Sequence, residues 1–362
     1  MKNYSRTIKP GFMDYKNMSH EFRPYVMFTN ADNYKTKIVN TDRLGFRKTY
    51  YKKKLLGLDE INKIKRQTNI IIGGSTAFSM GSTSDKTTMH SFLSSFGDPC
   101  VSLGVRGAQS HQELITFLKF KKFFFNIKNL IILSGVNDLV LCGTKDALFY
   151  KDFGGVIGSS DRAFSFLMQS NSFSREKWII GKNNLYFYIH YFFNKFKSFR
   201  FLLSHIFSRF KKSKQQKKIL SIPPQSFEKK LKNLQKMFEN DMHTWSILGK
   251  QMGIKITYIL QPTITWTKRK PTDYENTILD YEQKRIRKYF THDFTKKSTY
   301  LKYRNSLKKT CKKNFIKFYD ANDLILKSDK NKQFFIDLAH FTTYGHYFMA
   351  KLINKIIKKN KD

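Results

Sequence analysis

Asn69-Ile70-Ile71-Ile72-Gly73-Gly74-Ser75-Thr76 is an apolar run that stops at two glycines and a pair of hydroxyls. Such a run reads as a strand buried on both faces, as in a parallel sheet, and its glycines mark the exit. The pattern returns downstream. Cys100-Val101-Ser102-Leu103 ends at Gly104, and Leu130-Ile131-Ile132-Leu133 ends at Ser134-Gly135. The run from Ile254 to Leu260 stops at Gln261-Pro262, and Phe315-Ile316-Lys317-Phe318 is a weaker fifth. Helical spacing fills the gaps. Leu114, Phe117, Leu118 and Phe124 form one stripe. Phe227, Leu231, Leu234, Phe238, Met242, Trp245 and Leu248 form another at intervals of three and four. Ser226 can cap this second helix, and Gly253 lies where it would hand over to a strand. Strands alternating with helices predict a parallel sheet covered on both faces, with ligands beyond the carboxyl ends of the strands.

Two regions depart from this rhythm. Residues 1–63 are polar and aromatic, without a helical period, and read as an N-terminal extension. Within it, Asn40-Thr41-Asp42-Arg43-Leu44-Gly45-Phe46-Arg47 reads as a turn between short extended segments. Residues 143–225 carry an aromatic, basic stretch from Leu185 to Phe210, a lysine-rich run from Lys211 to Lys218, and Pro223-Pro224. This region is expected to be a helical insertion packed over the site, in preference to a helix lying in a membrane interface. The sheet domain is then 64–142 with 226–362.

The 362 residues, 40% of them apolar, can bury a sizeable core. No long uncharged apolar run and no signal-type opening are apparent, and the 3 cysteines, Cys100, Cys142 and Cys311, lack metal-ligand spacing. A reducing cytoplasm is the expected compartment. The net charge of +40 would draw the protein to polyanions. Lys, Asn, Ile, Phe and Tyr are abundant together and the basic residues are spread along the chain, which favours compositional drift over a built surface. Weak contact with polyanions or a membrane surface is expected, and specific nucleic-acid recognition is not.

The exits of the strands carry the chemistry. Ser75 offers a hydroxyl at the sheet edge, beside what reads as a helix start whose N–H groups can hold an anion. This turn has neither the lysine of a P-loop nor the second glycine of a G-x-S-x-G elbow, since Ala77 stands there. In Leu103-Gly104-Val105-Arg106-Gly107 a glycine N–H can approach a substrate oxygen unobstructed, although a turn glycine is the plainer reading. In Gly135-Val136-Asn137-Asp138 the Asn amide can donate to an oxyanion, or simply cap a turn. In Asp337-Leu338-Ala339-His340 the spacing lets the carboxylate reach the imidazole and fix its tautomer. His346 makes a metal site imaginable, but no third ligand accompanies it, so no metal is expected.

Taken in order, these segments resemble the Ser, Gly, Asn and Asp-x-x-His blocks of the SGNH (GDSL-type) hydrolases, over roughly residues 68–142 and 250–357. The resemblance implies a flavodoxin-like three-layer α/β/α sandwich and a serine esterase without cofactor. It makes Ser75 the nucleophile, His340 the base and Asp337 its orienting partner. The oxyanion hole would comprise the N–H groups of Ser75 and Gly107 and the side chain of Asn137, with Gly107 preferred to Gly104. Two positions depart from the family pattern: Gly74 replaces the Asp of Gly-Asp-Ser, and Ser102 replaces an Asn. They turn the expectation toward carbohydrate esters, most simply an acetyl group on a glycan or other small acylated substrate. The segment ending in Gly45-Phe46-Arg47 resembles the N-terminal part of SGNH proteins associated with bacterial surface polysaccharides. An O-acyltransferase using the same residues, and a non-catalytic polyanion- or membrane-binding protein on this scaffold, are the alternatives.

Overall fold

The computed structural model describes residues 12–64, 66–124, 126–144, 147–150, 154–157, 225–290, 292–328 and 330–360. The chain divides into two units, Met1–Gly155 with Phe227–Asp362, and Val156–Ser226. The second lies almost wholly outside the described residues, and so does the expected helical insertion, apart from two short strands.

The strands, in chain order, are β1 (His20–Arg23), β2 (Met27–Asn30), β3 (Thr49–Tyr51), β4 (Lys54–Leu56), β5 (Thr68–Gly73), β6 (Cys100–Gly104), β7 (Ile127–Ser134), β8 (Ala147–Tyr150), β9 (Gly154–Ile157), β10 (Lys255–Leu260) and β11 (Lys317–Asp320). A five-stranded sheet runs β11–β10–β7–β5–β6, with every neighbouring pair parallel. Counted along the chain, these strands stand in the flavodoxin-like order 2-1-3-4-5. Ile70, Ile71, Leu130, Ile131 and Leu133 are completely buried, which explains why the runs are continuously apolar and do not alternate.

The helices are α1 (Phe12–Asn17), α2 (Leu58–Asn62), α3 (Met89–Ser95), α4 (Ser110–Phe120), α5 (Val136–Gly143), α6 (Phe227–Met252), α7 (Asp273–Tyr289), α8 (Lys297–Lys313), α9 (Ala321–Leu324) and α10 (Thr343–Lys359). α10 packs on α3, and α6 packs on α4, α5 and α8, giving the helical layers that flank the sheet. Leu231, Leu234, Phe238, Met242 and Trp245 form the buried stripe of α6. Each such side chain contributes roughly 1.5–3 kcal/mol relative to exposure.

Two readings need correction. In α4, Leu118 is exposed and Phe124 lies beyond the helix, while Phe120 takes the buried position. Phe315 is not in the fifth strand: α8 runs to Lys313, Asn314 caps it, and pairing starts at Lys317. The turn that ends α8 takes Phe315 and Ile316, which an apolar run alone assigns to the strand.

The described residues of the stretch read as an N-terminal extension hold the hairpins β1–β2 and β3–β4 with α1 and α2. The turn through Asn40–Arg47 closes on Asp42, whose carboxylate accepts the N–H groups of Leu44, Phe46 and Leu58 at 2.9–3.0 Å. Arg47 is buried. Its guanidinium donates to Asp85 at 2.9 Å, to the Tyr15 hydroxyl at 2.6 Å, and to the carbonyls of Ile38 and Ser79 at 2.7 and 2.9 Å. The extension is thereby bolted to the turn that carries Ser75.

Candidate active site

Ser75 follows β5 by two residues and stands at the carboxyl end of the sheet, where the strand order reverses between β5 and β7. The turn beyond it is held by Phe78 N–H to the Gly74 carbonyl (3.1 Å) and Met80 N–H to the Ser75 carbonyl (3.0 Å). This is one irregular helical turn, not the helix start expected from the sequence; a regular helix begins only at Met89. Ser79, at φ +62, and Gly81, at φ +96, end the turn. A side chain at Gly81 would strike the Phe341 carbonyl and the Ile336 side chain, so the turn docks directly on the loop that bears His340.

That loop is a tight hairpin. Ile336 N–H bonds the His340 carbonyl and Thr342 N–H bonds the Phe334 carbonyl, both at 2.9 Å. Inside it, one oxygen of Asp337 accepts the N–H groups of Ala339 (2.9 Å) and His340 (2.8 Å). Its other oxygen lies 2.6 Å from His340 Nδ1, and His340 Nε2 lies 2.6 Å from Ser75 Oγ. Burial by itself would raise the Asp337 carboxyl. The charge and hydrogen bond of His340, with the two backbone N–H groups, outweigh it and hold the group down at about 2. An ionised Asp337 fixes the proton on Nδ1 and leaves Nε2 free to accept the proton of Ser75.

The donors expected from the sequence lie at the exits of β5, β6 and β7. Among the described residues, no group accepts the N–H of Ser75 or of Gly107. Gly107 is exposed, whereas Gly104 is buried and its absent side chain would strike the Phe78 backbone. Asn137 donates one amide hydrogen to the Ala108 carbonyl at 2.7 Å and has a second to offer. A Cβ on Gly74 would lie 2.5 Å from that amide nitrogen. The glycine that departs from the family's Gly-Asp-Ser therefore makes room for Asn137. Ser102, the other departure, donates to the Ala77 carbonyl at 2.7 Å and accepts the Gly104 N–H at 3.0 Å, tying β6 to the Ser75 turn.

Several residues that sequence reasoning passed over hold this edge. Asn30, at the end of β2, donates to the Gly104 carbonyl (3.0 Å) and accepts the Arg106 N–H (3.2 Å). Arg106 in turn donates to the carbonyls of Tyr15, Met18 and Ser19 at 2.6–2.8 Å. Asp138, next to Asn137, accepts the N–H and hydroxyl of Ser110 at 3.2 Å, joining the Asn and Gly exits. Its carboxyl is pushed up to about 7, chiefly by burial, against the lowering effect of the Ser110 N–H. Gln261, after β10, donates to the Ala339 carbonyl at 3.1 Å. Glu275 accepts the N–H groups of Phe334 and Phe335 at 2.7 and 2.9 Å and is itself held by buried Arg269 at 2.6 Å. None of these had a local signal; each acts across a gap in sequence that only the fold closes.

His346 is a core residue. It is fully buried, its Nε2 lies 3.2 Å from the Met80 carbonyl, and its ring meets Phe341 edge to face. Cys100, Cys142 and Cys311 are buried free thiols, raised by burial.

No protein-family model matches the chain, and no curated protein does. Among solved structures it is similar to a GDSL-like lipase from Bacteroides thetaiotaomicron, with 13% identity over 84% of this chain and 99% of the other, at a TM-score of 0.38. It is also similar to an acetyl xylan esterase, with 11% identity over 80% and 98% of the two chains, at a TM-score of 0.40. An extracellular lipase from Streptomyces rimosus shares 7% identity over 80% and 99%, at a TM-score of 0.39.

Proposed function

We propose that the protein is an SGNH-type serine esterase that removes an acyl group, in the simplest case acetyl, from an ester on a carbohydrate. The observation that carries this reading is the continuous chain from Ser75 Oγ through His340 to Asp337, 2.6 Å at each link; the N–H groups of Ser75 and Gly107 have no acceptor among the described residues. Ser75 Oγ attacks the ester carbonyl while its proton passes to His340 Nε2. The N–H groups of Ser75 and Gly107 and the amide of Asn137 receive the oxyanion. Collapse breaks the C–O bond, and His340 delivers the proton to the departing alcohol oxygen. Water then attacks the acyl-Ser75, giving a proton to His340; collapse breaks the acyl carbon–Oγ bond, His340 returns that proton to Ser75 Oγ, and the acid leaves. No step calls for a metal or cofactor. The acetyl and carbohydrate assignments draw on the two departures at Gly74 and Ser102.

The test is labelling of the purified protein with a fluorophosphonate, beside Ser75→Ala and His340→Ala. Labelling confined to the wild type supports the reading, and release of acetate from acetylated sugars extends it to the substrate. A folded wild type that neither labels nor turns over p-nitrophenyl acetate overturns it.

A further inference from the structure

The sheet has two ends, and the candidate active site occupies the carboxyl one. At the amino end the charge is nearly of one sign. Arg66 precedes β5, Lys121 and Lys122 precede β7, and Lys250 and Lys255 flank the entry to β10. Lys312, Lys313 and Lys317 flank the entry to β11, and Lys358 and Lys359 close α10. All of these are exposed. Among the described residues of these entry loops only Asp98 is acidic, and it is paired with Lys128 at 2.5 Å.

A cleft of about 600 Å³ opens on this end, lined in part by Lys250, Lys255, Lys317, Phe315 and Asn360. Phe315 is 95% exposed at φ +57. It sits in a Schellman turn: Ile316 N–H bonds the Cys311 carbonyl at 2.9 Å and Phe315 N–H bonds the Lys312 carbonyl at 3.2 Å. That position ordinarily takes glycine, which has no Cβ to strain at positive φ. A phenylalanine there forgoes both backbone comfort and burial, and the turn holds its ring out among lysines. Met252, the last residue of α6, is exposed as well.

We propose that this amino-end face docks on an anionic membrane surface, with Phe315 entering the headgroup region and the lysines on lipid phosphates and carboxylates. An aromatic residue ringed by lysines suits the boundary between apolar and charged layers. Exposed aliphatic Met252 favours lipid over a nucleic acid, which would need further rings to stack on. Docked this way, Ser75 faces water on the far side of the sheet, out of reach of an ester within the same bilayer.

Co-sedimentation of the whole chain with vesicles tests this. Binding is expected to equimolar phosphatidylcholine and phosphatidylserine, not to phosphatidylcholine alone, and is expected to be lost in high salt. Each lysine is worth about fivefold, so replacing Lys250, Lys312, Lys313 and Lys317 together by Gln weakens binding by about six-hundredfold. Phe315→Gly weakens it about tenfold. Because glycine suits the turn, its thermal midpoint should stay level or rise, which separates loss of binding from misfolding. Equal binding to neutral vesicles, binding that survives both sets of substitutions, or binding to single-stranded nucleic acid without vesicle binding overturns the proposal.

Discussion

Asp337 has two separable duties, one per oxygen, and one substitution divides them. In Asp337→Asn the amide oxygen can still accept the N–H groups of Ala339 and His340, so the hairpin keeps its shape. The amide nitrogen now faces His340 Nδ1 and donates to it, which moves the ring proton to Nε2, opposite Ser75. Under the esterase reading, kcat/KM for p-nitrophenyl acetate should fall by about 10³–10⁴ with little change in unfolding midpoint. Asn137→Ala should cost about 10²–10³ in kcat. Gly74→Ala should cost a similar factor, because its Cβ takes the space of the Asn137 amide. The double variant should be no worse than the worse single one; additive losses would mean the two residues act separately. The juxtaposition of Ser75, His340 and Asp337 was legible in the sequence because Asp337 and His340 stand at a short fixed spacing and Ser75 follows directly on an apolar strand run. Asn30 was not: it reaches Gly104 across 74 residues, and an isolated Asn in a polar stretch looks like any other.

At the scale of elements, β5, β6, β7 and β10 declared themselves because strands buried on both faces read as apolar runs, whereas β11, only partly buried, was misplaced at its start. The hand-over points were less legible. The turn after Ser75 is too irregular to be a helix and the α8 terminus overrides an apolar run, since both are decided by what packs against them. Arg47 shows the same limit: its motif was visible as a turn, but its burial against Asp85 came from the fold. Removing one partner of such a pair strands the other charge, so Arg47→Met should destabilise the protein by about 3–5 kcal/mol in urea unfolding. The larger consequence lies next door. Arg47 also donates to the Ser79 carbonyl, so under the esterase reading acyl-enzyme formation in surviving folded protein should slow as the Ser75 turn loosens. Full activity per folded molecule would show that the contacts at Gly81 and Ala77 hold the turn without Arg47.

For the molecule as a whole, acid acts through buried groups of opposite sign. His90 and His346 are fully buried, and burial first, then the charge of Arg47, lowers each to about 3. A histidine in the unfolded chain takes up its proton near pH 6.5. Between pH 6.5 and 3 the unfolded state therefore binds protons that the native state refuses. Stability from these two residues is complete above pH 6.5 and is lost as pH falls toward 3. Asp138, at about 7, and Glu113, raised well above its ordinary value, both chiefly by burial, work the other way: they hold protons in the native state that the unfolded chain releases above about pH 4. The sum hides the parts, but a difference reveals them. In His346→Gln the amide can still donate to the Met80 carbonyl, while the titrating group is gone. Urea unfolding from pH 6 to pH 4 should show the wild type losing about 1.4 kcal/mol per pH unit relative to this variant. Parallel curves would mean that His346 accepts its proton in the folded protein, and that the core beneath the Ser75 turn admits charge.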